Sequence, residues 1–197
     1  MRRPSFLRKV KTLVVRRANG AIHSLSAVVP SSGSVPLNMQ VQKRSLWCWA
    51  AVSASVSVAL DAASTWQQCS VANKAIGRAD CCAAGDCNQI GYLDTALSVV
   101  DCYDSKQVGV TRFNQIKEQI GRGLPVGCRI YWRTLDMGHF VAISGWTESG
   151  SSQYLNVADP ARGTTTPVAF DAFCTAYMND GEWTHSYYLK HPGGGGA

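Results

Sequence analysis

Residues 42–51 of the chain read QKRSLWCWAA and place Cys48 between two tryptophans, at the start of an uncharged segment with helical potential. Ser45 is suited to cap this helix, which would then begin at Leu46. The first turn of a helix carries unpaired backbone N–H groups, and these favour a thiolate. The amide of Gln42, six residues before the cysteine, is suited to stabilise a developing oxyanion. The run therefore predicts Cys48 as a nucleophile with Gln42 as an oxyanion donor.

Two later motifs supply a base for this nucleophile and a residue that orients the base. His139 follows a glycine and opens an apolar segment, so its ring is suited to face a cleft. Asp159 ends the next predicted strand, where its carboxylate can accept a hydrogen bond from the imidazole and fix its tautomer. His185 on the last predicted strand and Asp136, three residues before the histidine, are the alternative base and orienter.

The basic residues are concentrated at the beginning of the chain. Residues 1–44 hold nine of the nineteen Lys and Arg and no acidic residue, whereas the remainder has ten basic and thirteen acidic residues, a net charge of −3. We therefore predict a flexible basic leader at 1–37, cleavable or used for targeting, a single domain at 38–191, and a disordered glycine-rich tail at 192–197. Basic arms are attracted to nucleic acids and anionic membranes, but we expect no nucleic-acid partner and no stable membrane insertion.

Eight cysteines are a high count for a cytosolic enzyme of 197 residues. If Cys48 is free, the other seven allow up to three disulfides and one leftover thiol, which favours export to an oxidising environment. The alternative is a zinc site built from the cluster at 69–87, although the adjacent pair Cys81 and Cys82 lacks the spacing of common zinc modules. We expect disulfides, secretion or export, and no metal or cofactor.

Helical patterns come first along the chain and strand patterns follow. Helices are predicted from residue 46 for about fifteen residues, at 88–100 and at 113–120, with a cysteine-rich loop at 69–87. Strands are predicted at 125–132, 139–146, 154–158, 164–170 and 183–190, with a short helix near 171–178. This order indicates an α+β domain with the catalytic helix packed against an antiparallel sheet. Trp49, Trp146 and Trp183 are expected in the core or at the cleft wall, where one of them shields the His–Asp hydrogen bond.

Six pieces of the chain, in the same order, resemble the papain-like cysteine proteases. The resemblance is to the bacterial branch that includes avirulence effector proteases of plant pathogens. The pieces cover residues 40–190: Gln42, Trp47-Cys48-Trp49-Ala50-Ala51, the cysteine cluster with Asn88, the run 121–126, the run 138–143 and Asp159-Pro160. Papain itself uses asparagine as the orienter and has a different cysteine pattern, so its disulfide pairing is not transferred.

The resemblance implies a papain-like fold, with a helical lobe that carries the nucleophile and a C-terminal antiparallel sheet or half-barrel lobe. It implies Cys48 as nucleophile, His139 as general base and acid, Asp159 as orienter and Gln42 as oxyanion donor. We accordingly predict a monomeric cysteine endopeptidase acting on proteins or peptides. Two alternatives stay open: an acyltransferase or deamidase with the same residues, and a non-catalytic, disulfide-stabilised binding or toxin module in which Cys48 is bridged.

Overall fold

The structure is a computed structural model and describes residues 10–16, 22–28, 30–83 and 86–193. The chain divides into two compact units, Met1–Ser32 and Gly33–Ala197. In the first unit β1 (Val10–Arg16) and β2 (Ile22–Val28) pair antiparallel, from Val10 opposite Val28 to Arg16 opposite Ile22. Residues 1–9, 17–21 and 29 of the predicted leader, and 194–197 of the predicted tail, lie outside the described residues.

The second unit begins earlier than the predicted boundary at residue 38. Val35 and Leu37 are both buried, and the Val35 N–H donates to Ser144 O at 2.8 Å. Residues 33–37 are therefore part of the packed domain, because two apolar side chains and a ladder hydrogen bond hold them there. Within the described residues, no helix is both long and apolar enough to cross a bilayer.

Three helices form one side of the second unit: α1 (Cys48–Leu60), α2 (Gln68–Ile76) and α3 (Leu93–Val99). The first ten residues of α1 are all buried, because its alanine, valine and serine side chains are small and uncharged enough to be enclosed on every face. The helix begins at Cys48 and not at Leu46, and Ser45 is not its cap. The Ser45 hydroxyl instead accepts a hydrogen bond from the Asn88 amide at 2.9 Å.

Two further expectations for the helical side were wrong. Helix α2 lies where a cysteine-rich loop was predicted, and it ends at Gly77, which adopts the left-handed conformation (φ 69°) common after helices. Helix α3 begins at Leu93 and not at 88. Ile90, predicted on its buried face, is 72% exposed in the segment before the helix.

The other side of the unit is a seven-stranded antiparallel sheet. Its strands are β3 (Ser32–Ser34), β4 (Tyr103–Val108), β5 (Val126–Trp132), β6 (Met137–Ser149), β7 (Ser152–Asp159), β8 (Thr164–Ala169) and β9 (Gly181–Leu189). They run in the order β4-β9-β5-β6-β7-β8, and β3 pairs with β6. Strand β4 was not predicted because nearly all its side chains are exposed, so it shows no apolar alternation.

Strand β6 is buried on both faces, and its residues alternate between two cores. Phe140 and Ala142 belong to a cluster shared with α1, α2 and α3, whereas Val141 and Ile143 belong to a cluster on the opposite face. Two helices, α4 (Phe113–Gly121) and α5 (Phe170–Thr175), cover that second face. A helical region and a sheet region thus meet along one face of β5 and β6.

Two disulfides join Cys69 to Cys82 and Cys81 to Cys87. The four cysteines that formed the alternative zinc ligand set are therefore bonded to one another, as expected for a disulfide cluster. Among the described residues, the free cysteines are Cys48, Cys102, Cys128 and Cys174. Because Cys48 is free, the alternative in which it is a half-cystine does not fit the structure.

Candidate active site

Cys48 is the first residue of α1, and the residues on both sides of it are fixed by contacts from a distant segment. The indole N–H of Trp47 donates to Cys87 O at 2.7 Å, and that of Trp49 donates to Gln89 O at 3.2 Å. The Ala51 N–H already reaches Trp47 O at 2.9 Å, so the amides of the three residues before it lie in the first turn, without helical partners. The thiol therefore lies beside unpaired N–H groups.

The structure brings His139 and Asp159 together from two neighbouring strands. His139 Nε2 lies 2.8 Å from Asp159 Oδ1, and the two side chains are only 12% and 7% exposed. The Cys48 side chain lies near this ring, close enough to help raise the pKa of His139. Because Nε2 faces the carboxylate, Nδ1 is the ring nitrogen left for the thiol. The three residues predicted as nucleophile, base and orienter are thus brought together, with the imidazole hydrogen-bonded to the carboxylate and next to the thiol.

The hydrogen bonds of this group shift the pKa values of two members in opposite directions. Burial lowers the pKa of His139, but the hydrogen bond to Asp159 and the interaction with the Cys48 side chain outweigh it and raise the pKa from 6.5 to about 9. Burial raises the pKa of Asp159, but its hydrogen bond to His139 and the imidazolium charge outweigh burial and hold the pKa below its usual value. Asp159 is therefore an anion at neutral pH, and the arrangement favours a protonated imidazole.

Asp159 accepts further hydrogen bonds that fix its carboxylate. The Ala161 N–H donates to Oδ1 at 2.9 Å, and the buried Tyr177 hydroxyl donates to Oδ2 at 3.0 Å. Burial and the nearby Asp159 charge raise the pKa of Tyr177, so this hydroxyl keeps its proton and remains a donor. Tyr177 is a site residue that sequence reasoning missed, because nothing near it in the chain signals its contact with residue 159.

A tryptophan lies beside the histidine, but it is none of the three named from the sequence. The Trp132 ring centroid is 6.2 Å from that of His139 and 5.9 Å from that of Tyr177. Trp146 and Trp183 belong to the core cluster on the far face of the sheet, and Trp49 lines the cleft from the helical region. Trp132 is therefore the residue positioned to limit water access to the His139–Asp159 pair.

A backbone hydrogen bond holds Gln42 close to the residue that follows Asp159. Its N–H donates to Pro160 O at 2.8 Å, directly after Asp159. Its side-chain amide nitrogen donates to Arg44 O at 3.0 Å and to Ser45 O at 2.7 Å, and no hydrogen bond to its buried Oε1 is found among the described residues. In this state both amide hydrogens are directed at backbone carbonyls.

The alternative base and orienter have other hydrogen-bond partners. His185 Nδ1 is 3.0 Å from Thr184 Oγ1 on β9, and burial together with the positive charge of Arg129 lowers the pKa of His185. Asp136 accepts a hydrogen bond from the Tyr131 hydroxyl at 2.7 Å. Neither residue takes part in the hydrogen bond between His139 and Asp159.

Cys48 and His139 open into a cleft of about 380 Å³ between the helical and sheet regions. Large exposed apolar side chains stand at its rim: Ile90, Tyr92, Leu135 and Met137. Gly91 forms part of the wall, and a Cβ there would lie 2.4 Å from the Trp49 indole, so only glycine lets the backbone pass this close.

Comparison with solved structures shows the class of fold. The procathepsin L 3 of the Tenebrio molitor larval midgut superimposes with a TM-score of 0.55 at 11% identity, covering 82% of this chain and 70% of that one. A structure from work on the mite allergens Blo t 1 and Der p 1 superimposes with a TM-score of 0.56 at 13% identity, covering 83% and 72%. The expected α+β, papain-like fold is confirmed. No match was found among curated protein sequences.

The family follows from the sequence. Residues 30–178 match the model of the family described as papain-like cysteine protease AvrRpt2, and the chain belongs to that family. The predicted resemblance is therefore confirmed, and the protein is a papain-like cysteine peptidase, a hydrolase that acts on proteins.

Proposed function

We propose that the protein is an endopeptidase in which Cys48, His139 and Asp159 form a thiolate–imidazolium triad. One observation carries this proposal: a single buried ring, His139, lies beside a free thiol at a helix N-terminus and hydrogen-bonds, at 2.8 Å, to an anionic carboxylate. Transfer of the thiol proton to the ring gives the ion pair that makes a cysteine nucleophilic at neutral pH.

In the proposed reaction the Cys48 thiolate attacks the carbonyl carbon of the scissile peptide bond. The C=O electron pair moves onto oxygen, and as the tetrahedral intermediate collapses, the imidazolium of His139 gives its proton to the departing amine. A thioester remains on Cys48. His139, now neutral, removes a proton from water, the hydroxide adds to the thioester, and the carboxylic acid leaves as the thiolate re-forms.

Asp159 has the role of orienting the ring and stabilising its charged form. Its carboxylate is itself held by the Ala161 N–H and the Tyr177 hydroxyl, so it can fix the imidazole without rotating. A histidine fixed in this way presents the same nitrogen to the thiol throughout the cycle.

The oxyanion is proposed to be stabilised by the Cys48 backbone N–H together with the Gln42 amide. The first donor is available because Cys48 opens α1. The second requires the Gln42 amide to release Arg44 O or Ser45 O when substrate binds. Loss of one such donor typically lowers the rate by about 10²–10³-fold, so a Gln42→Ala variant that keeps the native kcat would exclude this role.

The substrate is proposed to be a protein segment that binds in extended form with apolar side chains against the rim. The exposed Ile90, Tyr92 and Leu135 side chains support this, because a bound ligand with apolar groups would remove their apolar surface from water. The two disulfides are compatible with an oxidising environment, and we infer that the enzyme works outside the cell. Recovery of the protein only from the reducing cytosol would contradict that inference.

Cys48→Ala is the direct test of the proposed reaction. We expect peptide-bond cleavage of an unfolded protein substrate to fall by at least about 10⁴-fold, because the covalent step is lost. Cys102→Ala is the matched control: burial raises the pKa of the Cys102 thiol to about 12, so its removal leaves cleavage intact. Mass spectrometry identifies the product, since backbone cuts support the endopeptidase. A mass gain of about one unit on glutamine without cuts would instead indicate a deamidase.

A further inference from the structure

The cleft contains one arginine, Arg129, on the middle of β5. Arg129 stands opposite Phe140 in the β5–β6 register, on the sheet face that packs against the helices. It is half-buried and lines the same cleft as Cys48 and His139. A substrate side chain that enters this part of the cleft therefore meets a cation close to the reacting atoms.

The Arg129 side chain is held in place by uncharged contacts. One guanidinium nitrogen, Nη1, donates to Thr184 Oγ1 at 3.0 Å, and Cζ lies 5.8 Å from the centroid of the Tyr131 ring. The guanidinium also rests on the backbone of Gly138, where a Cβ would lie 2.9 Å from Nε. Gly138 immediately precedes His139, so these contacts fix the cation next to the catalytic ring.

No carboxylate of the described residues forms an ion pair with Arg129. Asp136, the acidic residue of the cleft wall, accepts the Tyr131 hydroxyl instead. A guanidinium has five N–H donors, and the Thr184 hydroxyl uses one of them. A half-buried cation with free donors in a partly apolar cleft is stabilised when an anion binds to it.

We propose that Arg129 forms an acidic-residue subsite, which selects substrates that carry Glu or Asp beside the cleaved bond. This proposal rests on the peptidase function above. The carboxylate would pair with the guanidinium in the two-bond geometry that arginine favours, and the side-chain methylenes would pack against Tyr92 and Phe140 of the same cleft. An amide of the same shape cannot supply the charge, so Glu is distinguished from Gln.

The experiment compares internally quenched peptides that differ only by Glu or Gln at each of four positions around the cleaved bond. At one position we expect kcat/KM to be about 10- to 100-fold higher for Glu, the range of a charge-assisted hydrogen bond. Arg129→Gln should bring this ratio close to one, and Arg129→Glu should favour Lys over Glu at the same position. Arg129→Lys keeps the charge and should keep a preference for Glu.

Arg133→Gln is the matched control, because Arg133 is exposed, lies outside the cleft lining and donates to Thr175 O at 3.1 Å. It should leave the Glu/Gln ratio unchanged. A wild-type ratio near one at all four positions, or a Glu preference that survives Arg129→Gln, overturns the subsite. If cleavage remains dependent on Cys48 in that case, the peptidase proposal stands; if cleavage does not depend on Cys48, the peptidase proposal itself fails.

Discussion

The helical region and the sheet region position their reactive groups in different ways. In the helical region Cys48 stands at the start of α1, and its tryptophan neighbours are tied to residues 87 and 89, some forty positions away. In the sheet region His139 and Asp159 are aligned by the antiparallel ladder of β6 and β7, where Ala142 is opposite Ala158. Cys48, the proposed nucleophile, thus depends on a few long-range contacts and two disulfides, whereas the proposed base and orienter depend on strand register.

The two histidines of the sheet region give the strongest test of this contrast. His139→Ala should lower kcat/KM by about 10²–10⁴-fold, because general acid–base transfer is lost. His185→Ala removes a ring of the same sheet that contacts Thr184 and should change kcat/KM by less than about threefold. Steady-state kinetics on one fluorogenic peptide measures both variants. Equal losses in the two would mean that the sheet contributes stability and not a specific base.

The pH profile tests whether Asp159 acts through the charge on His139. Because the pKa of His139 is raised to about 9, the imidazolium is present below that pH and kcat/KM should fall as pH rises through about 9. Asp159→Asn keeps the shape but removes the charge, so this alkaline limb should move down by at least about one pH unit. At neutral pH we expect a loss of about tenfold. An unchanged alkaline limb would assign Asp159 a purely structural role.

Removal of each disulfide tests how far the helical region depends on these cross-links. These variants should have the smallest effect on activity. Replacing Cys69 and Cys82 by serine opens a loop with a sequence separation of 13 and should cost about 3 kcal/mol, or roughly 6–12 °C in Tm. Replacing Cys81 and Cys87 opens a separation of only 6 and should cost about 2 kcal/mol. Thermal unfolding followed by circular dichroism measures both.

At 25 °C, the disulfide variant that loses less stability should lose more activity. Cys87 O accepts the indole N–H of Trp47, next to Cys48, so loss of the Cys81–Cys87 bond should lower kcat by about threefold to tenfold. Loss of the Cys69–Cys82 bond should leave kcat nearly unchanged. If the variant that loses more stability also loses more activity, the two disulfides do not have the separate roles expected here, one in stability and one in positioning Cys48.

The parts of the fold that the sequence predicted best are those with strong local patterns. The strand around His139 and the helix at Phe113 have clear apolar periodicity, and both form close to where they were predicted. The exposed edge strand β4 lacks such a pattern, and α2 was hidden because its one cysteine, Cys69, was assigned with the three cysteines after the helix to a loop. Ile90 was assigned to a buried face because the sequence does not distinguish a core residue from one that faces a ligand cleft.

The residues of the candidate site also divide into those that a local sequence motif predicted and those that it did not. Cys48, His139, Asp159 and Gln42 stand in recognisable local motifs and were predicted. Tyr177, Trp132 and Arg129 were not, since each reaches the site through strand order or a long-range contact. The direction of the Gln42 amide was also not predictable, because it depends on the local path of the backbone carbonyls of Arg44 and Ser45.

The two indoles beside Cys48 have a consequence for protein engineering. Because Trp47 and Trp49 both donate to the segment at 87–89, the start of α1 and that segment form one structural unit, although they are far apart in the chain. A transplant of the nucleophile helix into another scaffold would have to include residues 87–89 with it. A circular permutation with new termini between these two segments removes neither indole nor its acceptor, so both hydrogen bonds can form again.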